Sequence, residues 1–299
     1  MKQEVDFNKV LITGIDGFTG SYLESLLVKN GYEVYGTVLN NASKNNHLVC
    51  DITQKNQIFS VLQKVKPNYI FHLAGISFVG EKDKILTYNV NVIGTENLLE
   101  SVDDLKLSPK KIIIASSATV YGNQNKTVLN EKMCPKPLNH YAFSKLILEH
   151  VASNYFDKFN IIITRPFNYT GIGQNPNFLI PKIVKHYKEG KASIELGNIN
   201  VSREFNNVKD VVEIYMSLMT CNCKSVIVNV CSNSAISITQ ILEYLNKKTG
   251  ISMIVNVNAN LVRANEIPVL KGSITLLKSI TKNRMKSNIY NLLDEMYDN

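Results

Sequence analysis

The sequence predicts an α/β fold, a doubly wound parallel sheet followed by a smaller C-terminal α/β domain. Three observations predict it: a glycine-rich turn after the first apolar run, an alternation of apolar runs with amphipathic stretches through the first half, and a looser pattern after Arg165-Pro166. Alternating strands and helices indicate βαβ units, whose helices cover both faces of a parallel sheet. A chain of 299 residues is long enough for such a sheet and a second domain.

The predicted elements of the first domain alternate in order. The candidate buried strands are 10–13, 33–39, 47–49, 69–73, 112–116 and 161–165. The helical stretches between them are 22–29, 54–66, 83–105 and 141–159. Right-handed crossovers between parallel strands place ligands outside the carboxyl ends of the strands. We therefore expect the functional site at that edge of the sheet.

The domain boundary is predicted at residue 166, with residues 1–166 forming the first domain and 167–299 mainly the second. Glycine and proline interrupt the earlier pattern at Gly171, Gly173, Pro176 and Pro181. An apolar run at 226–231 is expected to return to the first sheet as an added strand. The division is therefore predicted to be discontinuous in sequence.

A glycine-rich turn links the first predicted strand to the first predicted helix. Because glycine has no Cβ, the turn can take positive φ, and the backbone can approach a pyrophosphate whose charge is met by the N–H groups at the helix start. The third glycine lets the helix pack closely on the strand. This pattern predicts a Rossmann-type dinucleotide site. Its predicted cofactor-binding residues are Gly14, Asp16, Gly17, Phe18 and Gly20.

Ser117, Tyr141 and Lys145 are the predicted catalytic residues. Tyr141 and Lys145 are four residues apart, so they lie on one face of a predicted helix, where both are also expected to contact the cofactor. A nearby ammonium and an oxidised nicotinamide ring both favour the phenolate, which makes Tyr141 an acid–base group near neutral pH. Ser117 follows a predicted strand and can donate a hydrogen bond to the same carbonyl oxygen. The set indicates hydride chemistry.

Composition limits the other classes of function. The hydrophobic fraction is 44%, and no run reaches the roughly 18 apolar residues of a membrane helix, so a cytoplasmic protein without a membrane partner is expected. The formal charge is +8, but no nucleic-acid motif accompanies it, so no nucleic acid is expected as a partner. The five cysteines are scattered, which predicts reduced thiols and no metal site.

Several motifs along the chain resemble one family. They are Thr13-Gly14-Ile15-Asp16-Gly17-Phe18-Thr19-Gly20, Asp51-Ile52, His72-Leu73-Ala74-Gly75, Asn91-Val92-Ile93-Gly94-Thr95, Ser116-Ser117-Ala118-Thr119-Val120-Tyr121-Gly122, and Tyr141 with Lys145. With these motifs the chain resembles an extended short-chain dehydrogenase/reductase of the NAD-dependent epimerase/dehydratase family. The resemblance implies that Asp51 contacts the adenine and that Asn91 supports the core. It also implies that four residues lie along the cofactor, namely Ile52, Leu73, Ala74 and Gly75.

The second half resembles one branch of this family, the GDP-6-deoxy-D-mannose reductases and related nucleotide-sugar 4-ketoreductases. The resembling blocks are 165–174, 197–198, 203–211 and 263–268, and Ile172 departs from the proline usual in the family. The resemblance implies that Asn168, Arg203 and Arg263 hold the substrate diphosphate, and guanidinium groups suit that role because they bind phosphate oxygens in pairs. Ser77 is the implied contact to a sugar hydroxyl.

The expected reaction is NAD(P)H-dependent reduction of the 4-keto group of a GDP- or dTDP-linked 4-keto-6-deoxyhexose, giving a 6-deoxyhexose for cell-surface polysaccharide. Nucleotide-sugar 4,6-dehydratases carry an Asp-Glu pair where this chain has Ala118 and Thr119, which cannot transfer that proton. Two alternatives stay open. The Ser-Ala-Thr sequence also resembles UDP-galactose 4-epimerases, which keep NAD tightly bound, and a non-catalytic NADP-sensing regulatory protein would keep the same fold.

The end of the second predicted strand bears on the choice of cofactor. An NAD enzyme places an acid there for the ribose 2′-hydroxyl, whereas this chain has Leu39-Asn40-Asn41 and, further on, Lys44. The 2′-phosphate of NADP(H) meets no repulsion from an acid, so NADP(H) is expected and NAD(H) is the alternative. Asn40 and Lys44 are the predicted contacts. The resemblance also implies a homodimer, paired through the helices predicted at 83–105 and 141–159.

Overall fold

The structure, a computed structural model, describes residues 8–78, 80–258 and 268–299. Its strands in chain order are β1 (Lys9–Thr13), β2 (Glu33–Val38), β3 (His47–Val49), β4 (Tyr69–His72), β5 (Lys111–Ala115), β6 (Val128–Leu129), β7 (Ile161–Pro166), β8 (Tyr169–Thr170), β9 (Ser193–Leu196), β10 (Ser202–Arg203), β11 (Asn206–Asn207), β12 (Val226–Val230), β13 (Ile236–Ser237), β14 (Ile254–Val257) and β15 (Val269–Gly272).

The helices alternate with these strands through the first half. They are α1 (Phe18–Lys29), α2 (Lys55–Val65), α3 (Lys84–Tyr88), α4 (Gly94–Asp104), α5 (His140–Ser153), α6 (Leu179–Lys188), α7 (Val208–Thr220), α8 (Ile238–Thr249), α9 (Thr275–Ile280) and α10 (Ile289–Asp298). A π-helical turn at Asn89–Ile93 joins α3 to α4, and a 3₁₀ turn at Ala118–Tyr121 follows β5.

Within the described residues, seven parallel strands form the central sheet, in the order β12-β7-β5-β4-β1-β2-β3. From β1 the chain moves outward to β3, and from β4 it moves outward in the opposite direction, so the strand order reverses between β1 and β4. The pairing of these two strands aligns Thr13 with His72 at their carboxyl ends. Ligands of such sheets bind outside this edge at the reversal. The predicted fold class is confirmed.

Apolar side chains alternate between the two faces of the sheet. In β1, Val10 and Ile12 belong to the core on one face and Leu11 to the core on the other, because successive strand residues point to opposite sides. Helices α1 and α7 pack on the first face, through residues that include Leu23 and Val211. Helices α2, α4 and α5 pack on the second face. Both faces are therefore covered by helices.

The two halves of the chain exchange strands. β12 comes from the second half and pairs in parallel with β7 of the central sheet, where Val228 lies opposite Thr164. In return, β6 of the first half belongs to a second sheet of order β13-β10-β15-β6. Within the second half, the buried carboxylate of Glu204 joins separate segments, because it accepts hydrogen bonds from the backbone N–H groups of Ser232 and Gly272, each at 2.6 Å. The C-terminal core packs around α6, α8 and α10.

The cysteines correct one prediction. Cys221 and Cys223 are joined by a disulfide, whereas the sequence predicts reduced thiols, because the turn between α7 and β12 brings the two side chains together. Cys50, Cys134 and Cys231 are free. Over residues 8–78, 80–258 and 268–299, no group of three or more His, Cys, Asp or Glu side chains could hold a metal ion. No helix in these ranges has the length and apolar character needed to cross a membrane.

Candidate active site

The glycine-rich turn between β1 and α1 lies at the carboxyl edge of the sheet. Gly14 has a φ of 70°, and a Cβ there would lie 2.9 Å from Ala74 Cα. A Cβ at Gly20 would lie 2.3 Å from the Gly14 carbonyl oxygen, so glycine is required at both positions. Gly17 is the N-cap residue of α1, and it provides no side-chain hydrogen bond to the helix. The first turn of the helix contains no acidic residue. The N–H groups of this helix start fit a dinucleotide diphosphate.

Strand β5 brings Ser117 to the same edge. The Ser117 Oγ caps the 3₁₀ turn, accepting hydrogen bonds from Thr119 N at 3.2 Å and from Thr119 Oγ1 at 2.9 Å. Because these bonds occupy the oxygen lone pairs, the hydroxyl hydrogen is left to donate. Ser117 is hydrogen-bonded to the Tyr141 phenol, and this bond partly offsets the burial that raises the pKa of Tyr141.

Helix α5 carries Tyr141 and Lys145. The helix begins at His140 because Asn139 caps it, with Oδ1 accepting from Ala142 N at 2.9 Å. Lys145 lies one turn after Tyr141, and its Nζ donates to the Ala115 carbonyl oxygen of β5 at 2.8 Å. The structure thus brings the three predicted catalytic side chains together at the carboxyl end of β5.

Burial sets the protonation of Tyr141 and Lys145. It raises the pKa of Tyr141 to about 12, against the lowering by Ser117. It lowers the pKa of Lys145 to about 8, against the nearby Glu149 carboxylate. At neutral pH Tyr141 is therefore a neutral phenol and Lys145 an ammonium. The predicted lowering of the Tyr141 pKa by Lys145 is not what the structure shows, because the ammonium is turned to Ala115.

The loop after β4 is held beside the glycine turn. Thr13 Oγ1 accepts hydrogen bonds from Leu73 N at 3.2 Å and Ala74 N at 3.1 Å. The same oxygen is hydrogen-bonded to His72 Nδ1 at 2.8 Å. Burial lowers the pKa of His72 to about 3, so its imidazole is neutral and structural. These bonds hold Leu73, Ala74 and the exposed Gly75 beside the glycine turn.

Asn91 fixes this loop to helix α5 from the π-helical turn. Its Oδ1 accepts from Ile76 N at 2.9 Å, and its Nδ2 donates to the Ile76 carbonyl oxygen at 3.1 Å. Nδ2 also donates to Ser144 Oγ at 2.9 Å, next to Lys145 in α5. A Cβ at Gly75 would lie 2.8 Å from Asn91 Oδ1. One buried amide therefore sets the distance between the loop and the catalytic helix.

A buried ion pair that the sequence reasoning missed lies behind the site. Arg165 Nε donates to Glu149 Oε1 at 2.9 Å, and Arg165 Nη2 donates to Glu149 Oε2 at 2.6 Å. Ser116 donates to the same carboxylate, and the guanidinium carbon lies 4.8 Å from the centroid of the Tyr121 ring. The signal that could have found this pair is the position of Glu149, one helical turn after Lys145.

The residues predicted for the adenosine end of the cofactor lie after β2 and β3. They are Asn40, which is exposed, Lys44, Asp51 and Ile52, which is buried. Lys44 Nζ lies 2.7 Å from Glu24 Oε2, so its charge has a partner within the protein. Asp51 Oδ1 accepts from Thr53 N at 2.9 Å and from Thr53 Oγ1 at 2.8 Å, which shapes the turn before α2.

The predicted substrate contacts fall in separate segments. Ser77 is exposed in the loop after β4, and Asn168 is exposed just after β7, at the carboxyl edge of the sheet. Arg203 lies in β10, and its Nη1 donates to the Ser202 carbonyl oxygen at 2.8 Å. Arg263 lies outside the described residues. Ser77 and Asn168 therefore lie on the side of the sheet that carries the predicted catalytic residues.

Tyr169, which the sequence reasoning missed, links the segment after β7 to the glycine turn. Its hydroxyl is hydrogen-bonded to Thr19 Oγ1 at 2.8 Å, and its ring stacks on Phe18 with centroids 6.1 Å apart. After burial, the Tyr169 phenol also acts to raise the pKa of Tyr141. No local pattern marks this tyrosine, because its contacts come from the other end of the sheet.

A basic cavity of about 360 Å³ opens beside the loop that carries Ser77. It is lined by Phe78, Pro176, Asn177, Lys182, Lys185, His186 and Lys191. Lys191 and Lys185 both pair with the Glu189 carboxylate, at 2.7 Å and 3.7 Å. The remaining positive charge suits a phosphate-bearing ligand. Lys182, Lys185 and His186 lie on one face of α6, and this helical spacing is the signal that the sequence offered.

Comparison with known proteins identifies the family. The family model of GDP-mannose 4,6 dehydratase matches residues 11–296. The GDP-6-deoxy-D-talose 4-dehydrogenase of Aggregatibacter actinomycetemcomitans is 36% identical over 293 residues, covering 97% of each chain. The GDP-6-deoxy-D-mannose reductase of Pseudomonas aeruginosa is 29% identical over 248 residues, covering 79% of each chain.

A solved structure shares the fold. The structure of RMD from Pseudomonas aeruginosa complexed with NADPH has a TM-score of 0.84 at 25% identity, and the match covers 98% of this chain and 97% of that one. The predicted resemblance to extended short-chain dehydrogenases/reductases of the epimerase/dehydratase type is confirmed. The chain belongs to the GDP-mannose 4,6-dehydratase family.

Proposed function

We propose that the protein uses NADPH to reduce the 4-keto group of a GDP-linked 4-keto-6-deoxyhexose. The observation that carries the proposal is the meeting of a neutral phenol, Tyr141, with the Ser117 hydroxyl and the Lys145 ammonium beside the glycine turn. The two relatives support the substrate class, since both names join a redox reaction to a GDP-6-deoxyhexose.

Each catalytic side chain has one task in this reaction. The nicotinamide cofactor supplies hydride chemistry when bound. Tyr141, protonated at neutral pH, donates its proton to the carbonyl oxygen as negative charge develops there. Ser117 offers that oxygen the hydroxyl hydrogen that its bonds with Thr119 leave free. The Lys145 ammonium, held by the Ala115 carbonyl oxygen, is proposed to hold the nicotinamide ribose.

Dehydration is not proposed, although the family name describes it. Position 118 is alanine, and Thr119 uses its hydroxyl to donate to Ser117 Oγ at 2.9 Å. Neither side chain can remove a proton from carbon 5 or protonate a leaving hydroxyl. A nucleotide-sugar 4-epimerase is the second candidate, because Ser117-Ala118-Thr119 also resembles the epimerase sequence.

The substrate diphosphate is proposed to lie between Asn168 and the basic side chains of the C-terminal half, with Arg203 and Arg263 as its guanidinium contacts. Support comes from Asn168, which is exposed at the carboxyl edge of the sheet. The basic cavity next to Phe78 adds positive charge on the same side as Ser77. A doubly charged diphosphate is attracted by this field and bound by paired N–H donors.

NADPH is the proposed cofactor, with NADH as the alternative. Residues 39–41 carry no acid at the end of β2. The Lys44 ammonium lies near this point and remains about half exposed, with 55% of its side chain accessible. The solved relative from Pseudomonas aeruginosa was complexed with NADPH.

A homodimer is proposed through α3, α5 and the π-helical turn. Large apolar side chains are exposed there, and burying them against a second copy would be favourable. They are Ile85, Leu86, Ile93, Phe143 and Ile147.

The test follows NADPH absorbance with purified protein and two freshly made substrates, GDP-4-keto-6-deoxymannose and dTDP-4-keto-6-deoxyglucose. Oxidation of NADPH by the GDP substrate supports the proposal, and oxidation only by the dTDP substrate corrects the nucleotide. Silence with both, in protein that carries tightly bound nicotinamide and interconverts UDP-hexoses, supports the epimerase instead.

Tyr141→Phe tests the assigned acid. Removing a positioned acid costs about 10²–10⁴ in rate, and cofactor affinity should stay within a factor of two. Tyr155→Phe is the matched control, because Tyr155 stacks on Phe159 beyond the far end of α5. Turnover by Tyr141→Phe at the level of this control would reject Tyr141 as the acid.

A further inference from the structure

A cysteine pair that the proposed reaction does not use lies in the turn between α7 and β12. Cys221 and Cys223 are separated by Asn222, and their Cα atoms are 5.5 Å apart, within the range for a disulfide. The structure holds them in the oxidised form. Both residues are partly exposed.

A buried ammonium lies against this pair. Lys111, the first residue of β5, is only 3% exposed, and its Nζ donates to the Cys221 carbonyl oxygen at 3.2 Å and to that of Cys223 at 2.5 Å. Nζ also lies 4.0 Å from Cys223 Sγ. Among the described residues, no carboxylate forms an ion pair with Lys111, so its positive charge is not neutralised by the protein there.

The turn itself is fixed from a third side. Asn160 Nδ2 donates to the Cys223 carbonyl oxygen at 3.1 Å, and Ser225, two residues further on, accepts at Oγ from Ile161 N at 3.0 Å. The two cysteines are therefore held together over a cation by bonds that do not involve their sulfur atoms.

We propose that Cys221, Cys223 and Lys111 form a redox site whose oxidant is a hydroperoxide. The Cys223 thiolate, stabilised by the Lys111 ammonium, attacks the terminal peroxide oxygen. An S–O bond forms, the O–O bond breaks, and the alcohol or water leaves with the proton. The Cys221 thiolate then displaces hydroxide from the sulfenic acid, which forms the disulfide and one water. Two thiols lose two electrons in total, and one peroxide is reduced.

The other cysteines lack this environment, and they serve as internal standards. Burial raises the pKa of Cys50 to about 11, with the neighbouring Asp51 acting in the same direction. Burial also raises the pKa of Cys231, with help from Glu204 and Glu131. Cys134 is exposed and belongs to the loop before α5. We therefore expect Cys223 to react first, Cys134 later and the two buried thiols last.

The redox site and the proposed catalytic site are at opposite ends of one strand. Lys111 begins β5, and Ser117 follows its carboxyl end, a separation of roughly 20 Å at about 3.3 Å per residue. The proposal therefore does not rest on the proposed reductase activity. It can be tested by thiol chemistry alone.

The first experiment reduces the protein, removes the reductant and adds a limiting amount of iodoacetamide near neutral pH, followed by peptide mass mapping. We expect Cys223 to be alkylated about tenfold faster than Cys134, because a neighbouring ammonium favours the reactive thiolate. Lys111→Met should remove this advantage, and Lys111→Arg should retain it. Equal rates for Cys223 and Cys134 in the wild-type protein would overturn the proposal, whether or not the variants fold.

The second experiment adds one equivalent of hydrogen peroxide to the reduced protein. The wild-type protein should lose two titratable thiols and gain a disulfide-linked peptide that contains both cysteines. Cys221→Ser should instead give a sulfenic acid at Cys223, which dimedone traps. Oxidation at Cys134 before Cys223, or a Cys223 that stays reduced, would reject the peroxide chemistry.

Discussion

Replacing Lys145 with methionine should stabilise the protein while it inactivates the proposed reaction. Lys145 is 7% exposed, and burial lowers its pKa from 10.5 to about 8 because a charged ammonium loses its hydration inside the protein. Methionine has a similar length and no charge, so it fills the same space without that cost. A group kept for catalysis is expected to oppose stability in this way.

The size of the effect follows from the pKa. One pKa unit corresponds to about 1.4 kcal/mol, so a lowering from 10.5 to about 8 costs the folded state about 3 kcal/mol at neutral pH. The substitution also removes the hydrogen bond from Nζ to the Ala115 carbonyl oxygen, worth about 1 kcal/mol. We therefore expect the free energy of unfolding of Lys145→Met to exceed that of the wild-type protein by about 2 kcal/mol.

The stability difference between Lys145→Met and the wild-type protein should depend on pH. Below about pH 8 the folded and unfolded chains both carry the Lys145 proton, so the cost is complete. Between about pH 8 and 10.5 the unfolded chain keeps a proton that the folded chain has lost, so this lysine makes the stability of the wild-type protein rise with pH. The advantage of Lys145→Met should therefore be largest below pH 8 and disappear above 10.5.

Urea unfolding at several pH values measures this difference. Lys158→Met is the control, because Lys158 is about half exposed and pairs at the surface with Asp103 at 2.6 Å, a contact worth roughly 0–1 kcal/mol. A Lys145→Met protein that is less stable than the wild-type protein at neutral pH would refute the reasoning. So would an advantage that does not shrink with rising pH.

Three further predictions test other parts of the structure. Lys44→Ala should weaken NADPH binding by about 5- to 20-fold in a fluorescence titration and leave NADH binding unchanged, because only NADPH carries the 2′-phosphate; equal affinities for NADPH before and after the change would remove this contact. Gly14→Ala should abolish cofactor binding, whereas Gly250→Ala, with a similar φ of 74° and no atom near the added Cβ, should cost about 1 kcal/mol in urea unfolding and leave binding intact. Arg165→Met strands the buried Glu149 carboxylate and should lower the free energy of unfolding by about 3–5 kcal/mol at pH 7, and a loss below 1 kcal/mol would show that the ion pair is not the anchor described.

The parts of the fold that the sequence could predict are those that depend on local pattern. The predicted strand at 47–49 is observed at the same residues, because a short apolar run between turns has few other solutions. The glycine turn was predictable because the close approaches at Gly14 and Gly20 admit no other residue. The helix predicted at 83–105 is observed as two helices joined by a π-helical turn. That turn follows from the bonds of Asn91 to other segments, which no local pattern records.

The sequence could predict that Ser117, Tyr141 and Lys145 meet at one edge of the sheet, and it predicted less of what surrounds them. Ser117 and Tyr141 follow from a strand end and a helix face, which sequence spacing describes. The partners of charged groups depend on tertiary contacts instead. Lys44 is paired with Glu24, 20 residues before it, and Arg165 with Glu149 on another element. Only the folded chain selects these pairs, because many acids along the sequence would suit each cation equally well.

The ribosome synthesises β12 long after β7, the strand with which it pairs. β7 ends at Pro166, and its neighbour β12 begins at Val226, so the ribosome adds about 60 residues before the partner strand exists. At about 5–20 residues per second, this leaves the edge of β7 open for roughly 3–12 s. Ile162, fully buried in the finished protein, packs on the face of the sheet that α7 covers, and α7 is also synthesised during that interval. For those seconds the nascent chain presents a strand edge that can pair with other chains, so its yield in a cell is expected to depend on chaperones that cover the edge.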